Sequence, residues 1–203
     1  MALTIYGSPY SRTMRVLWAA AELGLSYEHV PIAWHDPGLK APDFLALNPA
    51  GTIPTIVDGD LALSESLAIN LYLAKAYGST GATPLYPPSA GAEAEVWKWS
   101  LWAQGHLEPW VQRDAAMAPL HAAARAEIDT VVLAALALLD GLLADRDWLV
   151  GDHFTVGDLN VAAVLSPSRA PVLPLRQFPN VEAWLARCYG RPAALATRKR
   201  FAS

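Results

Sequence analysis

Three short segments carry residue types that could hold a ligand and activate it. Ser8-Pro9-Tyr10-Ser11 places two hydroxyls and a phenol after an apolar run. Asn48-Pro49-Ala50-Gly51-Thr52-Ile53-Pro54-Thr55 brings an Ile-Pro peptide to the start of another, and Ser64-Glu65-Ser66 precedes a helical pattern. Proline cannot donate to a ladder and belongs at a strand's first residue or edge. A cis bond at Ile53-Pro54 would turn the N–H and C=O of Ile53 outward, where an extended peptide could pair with them; the plain alternative is the trans bond that most X-Pro pairs adopt. In the third segment Ser64 is expected to cap a helix. A free N–H and hydroxyl at Ser66 would suit an α-carboxylate, and Glu65 the ammonium beside it, although ordinary capping explains the same residues without a ligand. A ligand that fits both segments has peptide groups in its middle and an α-amino acid at one end.

The first segment adds chemistry. A hydroxyl at a helix N-terminus can donate to a bound thiolate, whereas its ordinary role is to cap the helix. A thiol pKa of about 8.5 must fall by about two to leave the group mostly ionised near neutrality, which corresponds to about 2.7 kcal/mol. A hydrogen bond to a charged group contributes about 1.5–3 kcal/mol and a helix terminus about 0.3–1 kcal/mol. One hydroxyl and one helix end therefore suffice, with no metal, cysteine or histidine base.

The elements that position these segments follow from the apolar pattern. Ala2 to Tyr6 reads as a strand, Arg12 to Leu23 as a helix with Met14, Leu17, Trp18 and Ala21 at helical spacing, and Gly24 as its terminator. Tyr27 to Ile32 reads as a second strand. The stretch 33–51 is irregular, with one helical turn near 43–46. Thr55-Ile56-Val57 and Leu61-Ala62-Leu63 flank Asp58-Gly59-Asp60 as a hairpin, and a helix runs on from Ser64 through Leu67, Leu71 and Ala74. This β-α-β-loop-β-β-α order is an α/β domain over 1–78. A Gly/Ser/Thr/Pro-rich linker covers 79–91, and an all-α domain fills 92–203, with helices expected over 92–117, 122–144, 155–165 and 181–189.

Bulk properties exclude several classes. The 203 residues are 53 % hydrophobic and 17 % charged with a net charge of -4, which argues against disorder. Basic residues are scattered apart from Arg198, Lys199 and Arg200, so no nucleic-acid surface is expected. The single cysteine, Cys188, rules out an internal disulfide and a multi-cysteine metal site and fits a reducing cytoplasm. The longest apolar run, 131–144, is interrupted by Asp140 and Gly141, and neither a targeting segment nor a membrane span is expected.

The Asn-Pro-x-Gly-x-x-Pro loop followed by a Glu-Ser helix start, with hydroxyls between strand one and helix one, resembles the soluble glutathione S-transferase family of bacterial type, with a serine-type, phi-like loop. The resemblance covers the whole chain. It implies a thioredoxin-like N-terminal domain, an all-helical C-terminal domain, glutathione as co-substrate, a small hydrophobic electrophile as partner, no metal, and a homodimer in the cytoplasm. It implies that Ile53, before a cis Pro54, binds the cysteinyl backbone of glutathione, that Glu65 and Ser66 bind the γ-glutamyl end, and that Lys40 approaches the glycyl carboxylate. Thr52 stands where a glutamine is common, so that contact is shortened or lost. Leu39 replaces a common histidine, and His35 in the same loop could compensate. Catalytic candidates rank Ser11, Ser8, Tyr10. Tyr6 occupies about the position of the catalytic tyrosine in other classes but reads as a core strand residue. Disulfide-exchange classes are disfavoured because the loop holds no cysteine.

The resemblance also places an electrophile pocket on the first long helix. Trp99, Trp102, His106 and Trp110 recur at three- and four-residue steps and would share one face, part core and part pocket. Trp102, His106 and Trp110 are the pocket candidates, and Met117 and Arg113 lie further along. Phe154-Thr155-Val156-Gly157-Asp158-Leu159 reads as a capping box with a hydrophobic staple. The bulky aromatic that some classes insert from the Asn-Pro loop into a partner is replaced by Ala50, which implies a flatter interface. Transferase chemistry is the first reading. Peroxidase, isomerase or dehalogenase activity on the same thiolate and a non-catalytic ligand-binding protein are the alternatives.

Overall fold

The computed structural model describes residues 3–81, 84–111, 122–166 and 173–201. The chain forms two compact units, Met1–Tyr86 with Pro192–Ser203, and Pro87–Arg191. The first is α/β and the second is helical, the fold class expected from the pattern.

In the first unit the elements are β1 (Leu3–Tyr6), α1 (Thr13–Glu22), β2 (Tyr27–Val30), α2 (Pro42–Leu47), β3 (Thr55–Asp58), β4 (Leu61–Ser64) and α3 (Ser66–Tyr77). The sheet order is β2-β1-β3-β4, with β1 parallel to β2 and the other pairs antiparallel. Strand alternation puts Leu3 and Ile5 of β1 into a core with Val16, Leu17, Ala20, Ile56, Ile69 and Leu73. Tyr6 turns to the opposite face, where its ring meets Phe44 of α2 edge-on at 5.9 Å. The stretch 33–51 is more ordered than its composition implies, with a 3₁₀ turn at Pro37–Lys40 ahead of α2. Both short helices begin with proline, whose fixed φ suits a first helical position.

Two details differ from the sequence expectation. Ser64 does not cap a helix: it ends β4, and Glu65 is the residue ahead of α3, with φ 72 and no capping hydrogen bond from its side chain. Helical spacing in α1 also selects a neighbouring face. Met14 is half-buried, whereas Thr13 and Arg15 through Ala20 are buried, because α1 packs against both α3 and the last helix of the chain.

That last helix falls within the segment assigned to the all-α domain, 92–203, yet it packs in the first unit. It spans Pro192–Arg200, and its buried residues are Ala194 and Thr197. With no apolar stripe it offers no periodic signal, and docking on α1 makes it helical.

The second unit contains α4 (Ala90–Trp102), α5 (Ala122–Leu142), α6 (Val156–Val164) and α7 (Pro179–Tyr189); with it in place the last helix, Pro192–Arg200, is α8. The helix expected over 92–117 is not one regular α-helix: a π-helical turn at Ala103–Leu107 follows α4. Trp99, Ala103, Leu107 and Val111 are buried at four-residue steps through this segment. It separates the aromatic stripe. Trp99 is buried, Trp102 and Trp110 are half-buried and His106 is exposed, so the four do not share one face. Arg113 and Met117 lie outside the described residues.

The Thr155 box forms as expected. The Asp158 carboxylate accepts from the Thr155 N–H (3.0 Å) and hydroxyl (3.1 Å), the Leu149 N–H (2.8 Å) and the Trp184 indole N–H (3.0 Å). It is wholly buried, and burial pushes its carboxyl pKa up while these donors oppose the rise.

Candidate functional site

One row of the sheet brings the three segments together. Tyr6 pairs with Thr55 and Thr55 with Ser64. The residues that follow Tyr6, precede Thr55 and follow Ser64 therefore leave the sheet side by side. These are Gly7-Ser8, Ile53-Pro54 and Glu65-Ser66; the first pair is far from the other two in sequence, and strand pairing brings all three to one end of the sheet. Gly7 enforces the proximity. Its φ is 134, and a Cβ there would stand 2.1 Å from Thr13 Oγ1 and 3.1 Å from Ile53 Cβ.

The hydroxyl loop is held by its own backbone. The Ser8 carbonyl accepts from the Ser11 N–H (3.1 Å) and from Ser11 Oγ (2.7 Å). Ser11 Oγ also lies 2.9 Å from Thr13 Oγ1 and accepts from the Thr13 N–H at 3.2 Å, so its single proton already has acceptors. Ser8 Oγ accepts from the Tyr10 N–H at 3.2 Å, and its own proton has no acceptor among the described residues. Tyr10 is 73 % exposed. Tyr6 does not take the core role read from its strand position: it is half-buried on the face away from the core, with its ring against Phe44.

The Ile53-Pro54 bond is cis, and the Ile53 backbone makes no hydrogen bond among the described residues. The loop before it is organised by buried Asn48. Its amide N donates to the Thr52 carbonyl (3.0 Å), Thr52 Oγ1 (3.2 Å) and Thr55 Oγ1 (3.0 Å), and its side-chain oxygen accepts from the Ala50 N–H (3.1 Å). The Thr52 side chain thus faces its own loop. Lys40 donates to the carbonyls of Ala50 (3.0 Å) and Gly51 (3.2 Å), which fixes the ammonium beside the loop. Gly51 has φ 58, and a Cβ there would come within 2.6 Å of both Leu39 O and Lys40 Nζ. His35 stacks edge-on with Trp34 at 5.1 Å.

At the third segment, Glu65 is the one non-glycine residue with positive φ among those described. Strained backbone of this kind persists where the surroundings over-determine it, often at ligand sites. Ser66 is the first residue of α3 and is buried; its Oγ accepts from buried Arg15 Nη1 at 3.4 Å. Sequence reasoning missed Arg15 as a member of this site. The available signal was a charged residue inside the apolar run Met14 to Ala21 of α1.

Residues 1–75 match the family model for the glutathione S-transferase N-terminal domain, and residues 100–192 match that for the C-terminal domain. Glutathione S-transferase 3 of Zea mays is 36 % identical, with 94 % of this chain and 90 % of that protein aligned. Glutathione S-transferase GstB of Escherichia coli K12 is 34 % identical over 94 % of this chain and 95 % of its own. The crystal structure of glutathione transferase URE2P8 from Phanerochaete chrysosporium, with oxidized glutathione, superposes with a TM-score of 0.86 at 22 % identity over 98 % of this chain and 94 % of that one. Family matches to both halves and relatives aligned over nearly the full length show that this chain belongs to the glutathione S-transferase family.

Proposed function

We propose that this enzyme binds glutathione along the row Gly7-Ser8, Ile53-Pro54 and Glu65-Ser66 and stabilises its thiolate for attack on small hydrophobic electrophiles. The observation that carries the reading is the register Tyr6–Thr55–Ser64, which sets a hydroxyl, an open backbone edge and a helix N-terminus side by side. Neighbours of the same fold hold glutathione, among them Ure2p. In this reading the N–H and C=O of Ile53 pair with the cysteinyl backbone, Ser66 and the first N–H groups of α3 hold the γ-glutamyl carboxylate, and Glu65 holds its ammonium. Lys40 stands beside the glycyl carboxylate, and Thr52 contributes its position rather than a side-chain contact.

Among the hydroxyls we assign Ser8, ahead of Ser11 and Tyr10, as the donor to sulfur. A serine has one proton to give. That of Ser11 has acceptors in Ser8 O and Thr13 Oγ1, whereas Ser8 Oγ is oriented by the Tyr10 N–H with its proton unused. The thiolate attacks the electrophile, the carbon–sulfur bond forms, and the leaving group departs with the electron pair of its own bond. Trp102 and Trp110, both half-buried, are assigned to the apolar co-substrate, and exposed His106 is given no role in the chemistry.

Turnover of an activated chloroaromatic with glutathione tests the assignment. Ser8→Ala is expected to lower kcat/KM about 10–100-fold, the loss of one hydrogen bond to a charged group. Ser11→Ala should cost less in rate. Wild-type turnover in Ser8→Ala with a large loss in Ser11→Ala would reverse the order.

A further inference from the structure

The peptide that precedes Ser8 is gripped from a direction that the glutathione site does not explain. His29 of β2 places Nε2 2.8 Å from the Gly7 carbonyl oxygen. A carbonyl only accepts, so Nε2 carries the proton and donates. The Gly7 N–H in turn donates to the Val30 carbonyl at 2.9 Å. Both polar groups of Gly7 are thus tied to β2, and its carbonyl belongs to the same planar unit as the Ser8 N–H. Rotation of that plane would swing the Ser8 side chain.

His29 is itself held by the end of the chain. Its ring meets Phe201 edge-on, with centroids 5.4 Å apart at 81°. The Arg200 guanidinium lies over both Phe201 (5.3 Å) and Tyr27 (5.7 Å), and the Phe201 N–H closes the last turn on the Thr197 carbonyl at 3.3 Å. Docking of α8 on α1 brings this group to β2 within the same unit.

We infer that His29 is a positioning residue for the Ser8 hydroxyl, and that the C-terminal turn, through Phe201, keeps the imidazole aimed at the Gly7 carbonyl. The inference rests on the proposed role of Ser8 toward glutathione. Without the His29 bond the Gly7–Ser8 peptide plane has one tether fewer, and the hydroxyl spends less time aligned with sulfur. The deficit falls on the ionised thiol and not on the grip on the tripeptide, whose other contacts lie at Ile53, Glu65 and Ser66.

The experiment compares wild type with His29→Leu, which keeps the bulk against Phe201 but cannot donate, and with His29→Gln, which restores an N–H donor. His29→Leu is expected to move the acidic limb of the kcat/KM pH profile upward by about one pH unit and to lower kcat about tenfold at neutral pH, with KM for glutathione within about twofold. His29→Gln should recover most of the loss, and Phe201→Ala should shift the profile in the same direction by less. Hydrogen exchange at the amides of Ser8, Tyr10, Ser11 and Arg12 reads the positioning without glutathione and should be faster in His29→Leu. A His29→Leu profile and exchange pattern that overlay wild type overturn the inference, as does a raised KM at unchanged kcat. Wild type that neither binds nor turns over glutathione overturns the underlying site reading instead, and the exchange measurement still decides the His29 contact.

Discussion

At the residue scale, small differences in hydrogen bonding separate side chains of the same type. Ser8 and Ser11 lie three positions apart in one turn, and the family resemblance ranks Ser11, at the expected helix start, first. In the structure Ser11 Oγ donates to the Ser8 carbonyl and lies 2.9 Å from Thr13 Oγ1, whereas the Ser8 proton has no acceptor among the described residues. At α3, Ser66→Ala is expected to raise KM for glutathione about tenfold or more, with kcat changed much less, because a charge-assisted hydrogen bond to a carboxylate is made equally in the bound and reacting states. An unchanged KM would remove Ser66 from the γ-glutamyl site. Gly51→Ala tests the loop. Its Cβ would overlap Lys40 Nζ and Leu39 O, and a residue with φ 58 favours glycine, so the loop must shift and the ammonium leave its carbonyls. Weaker glutathione binding by calorimetry is the expected outcome; wild-type affinity would show that Lys40 does not serve the site. The Ile53-Pro54 and Glu65-Ser66 pairs were legible as candidates for the proposed site. Arg15 was not read as part of it: its place inside an apolar run marks it as buried, but only packing sets it beside Ser66.

At the element scale, the Thr155–Asp158 box was readable because its two residues lie within one helical turn, whereas the Leu149 and Trp184 donors come from outside it. Asp158→Ala would leave the Leu149, Thr155 and Trp184 N–H groups buried without an acceptor, a loss of about 3 kcal/mol or more. A drop in the urea midpoint at constant slope measures it, and a change under 1 kcal/mol would contradict the geometry. Asp158→Asn keeps an acceptor and should lose less. A second element-scale case joins β3 to α3. Tyr72 and Tyr77 both donate to Asp58, and that bond, with burial adding to it, pushes the Tyr77 phenol from 10.0 to about 12. The folded state holds this proton more tightly than the unfolded chain. The contribution is therefore complete below pH 10.0 and is lost as pH rises toward about 12. Tyr77→Phe is expected to flatten the alkaline fall of Tm in that window, and identical alkaline curves would show the bond to be inconsequential. The π-helical turn at Ala103–Leu107 was beyond local reading. Helical periodicity assumes a constant turn, and nothing in the residue types of Ala103–Leu107 marks the wider one.

At the scale of the molecule, the family likeness carries the expectation of a homodimer, and Ala50, exposed in the Asn-Pro loop, supplies no bulky clasp for a partner. Light scattering is expected to give the mass of two chains; a single-chain mass at micromolar concentration would remove the dimer. The sequence by itself determined the α/β-then-helical order, the capping box, and the residue types of a site suited to a peptide with an α-amino-acid end. These depend on periodicity, glycine and proline placement, and neighbours within a few residues, all of which operate before the chain is compact. Tertiary structure alone decided that Tyr6, Thr55 and Ser64 share one row, and that residues 192–201 return to pack beside β2 and α1. Each depends on strand register or on packing between segments far apart in sequence, where a partner exists only once the intervening chain has folded back.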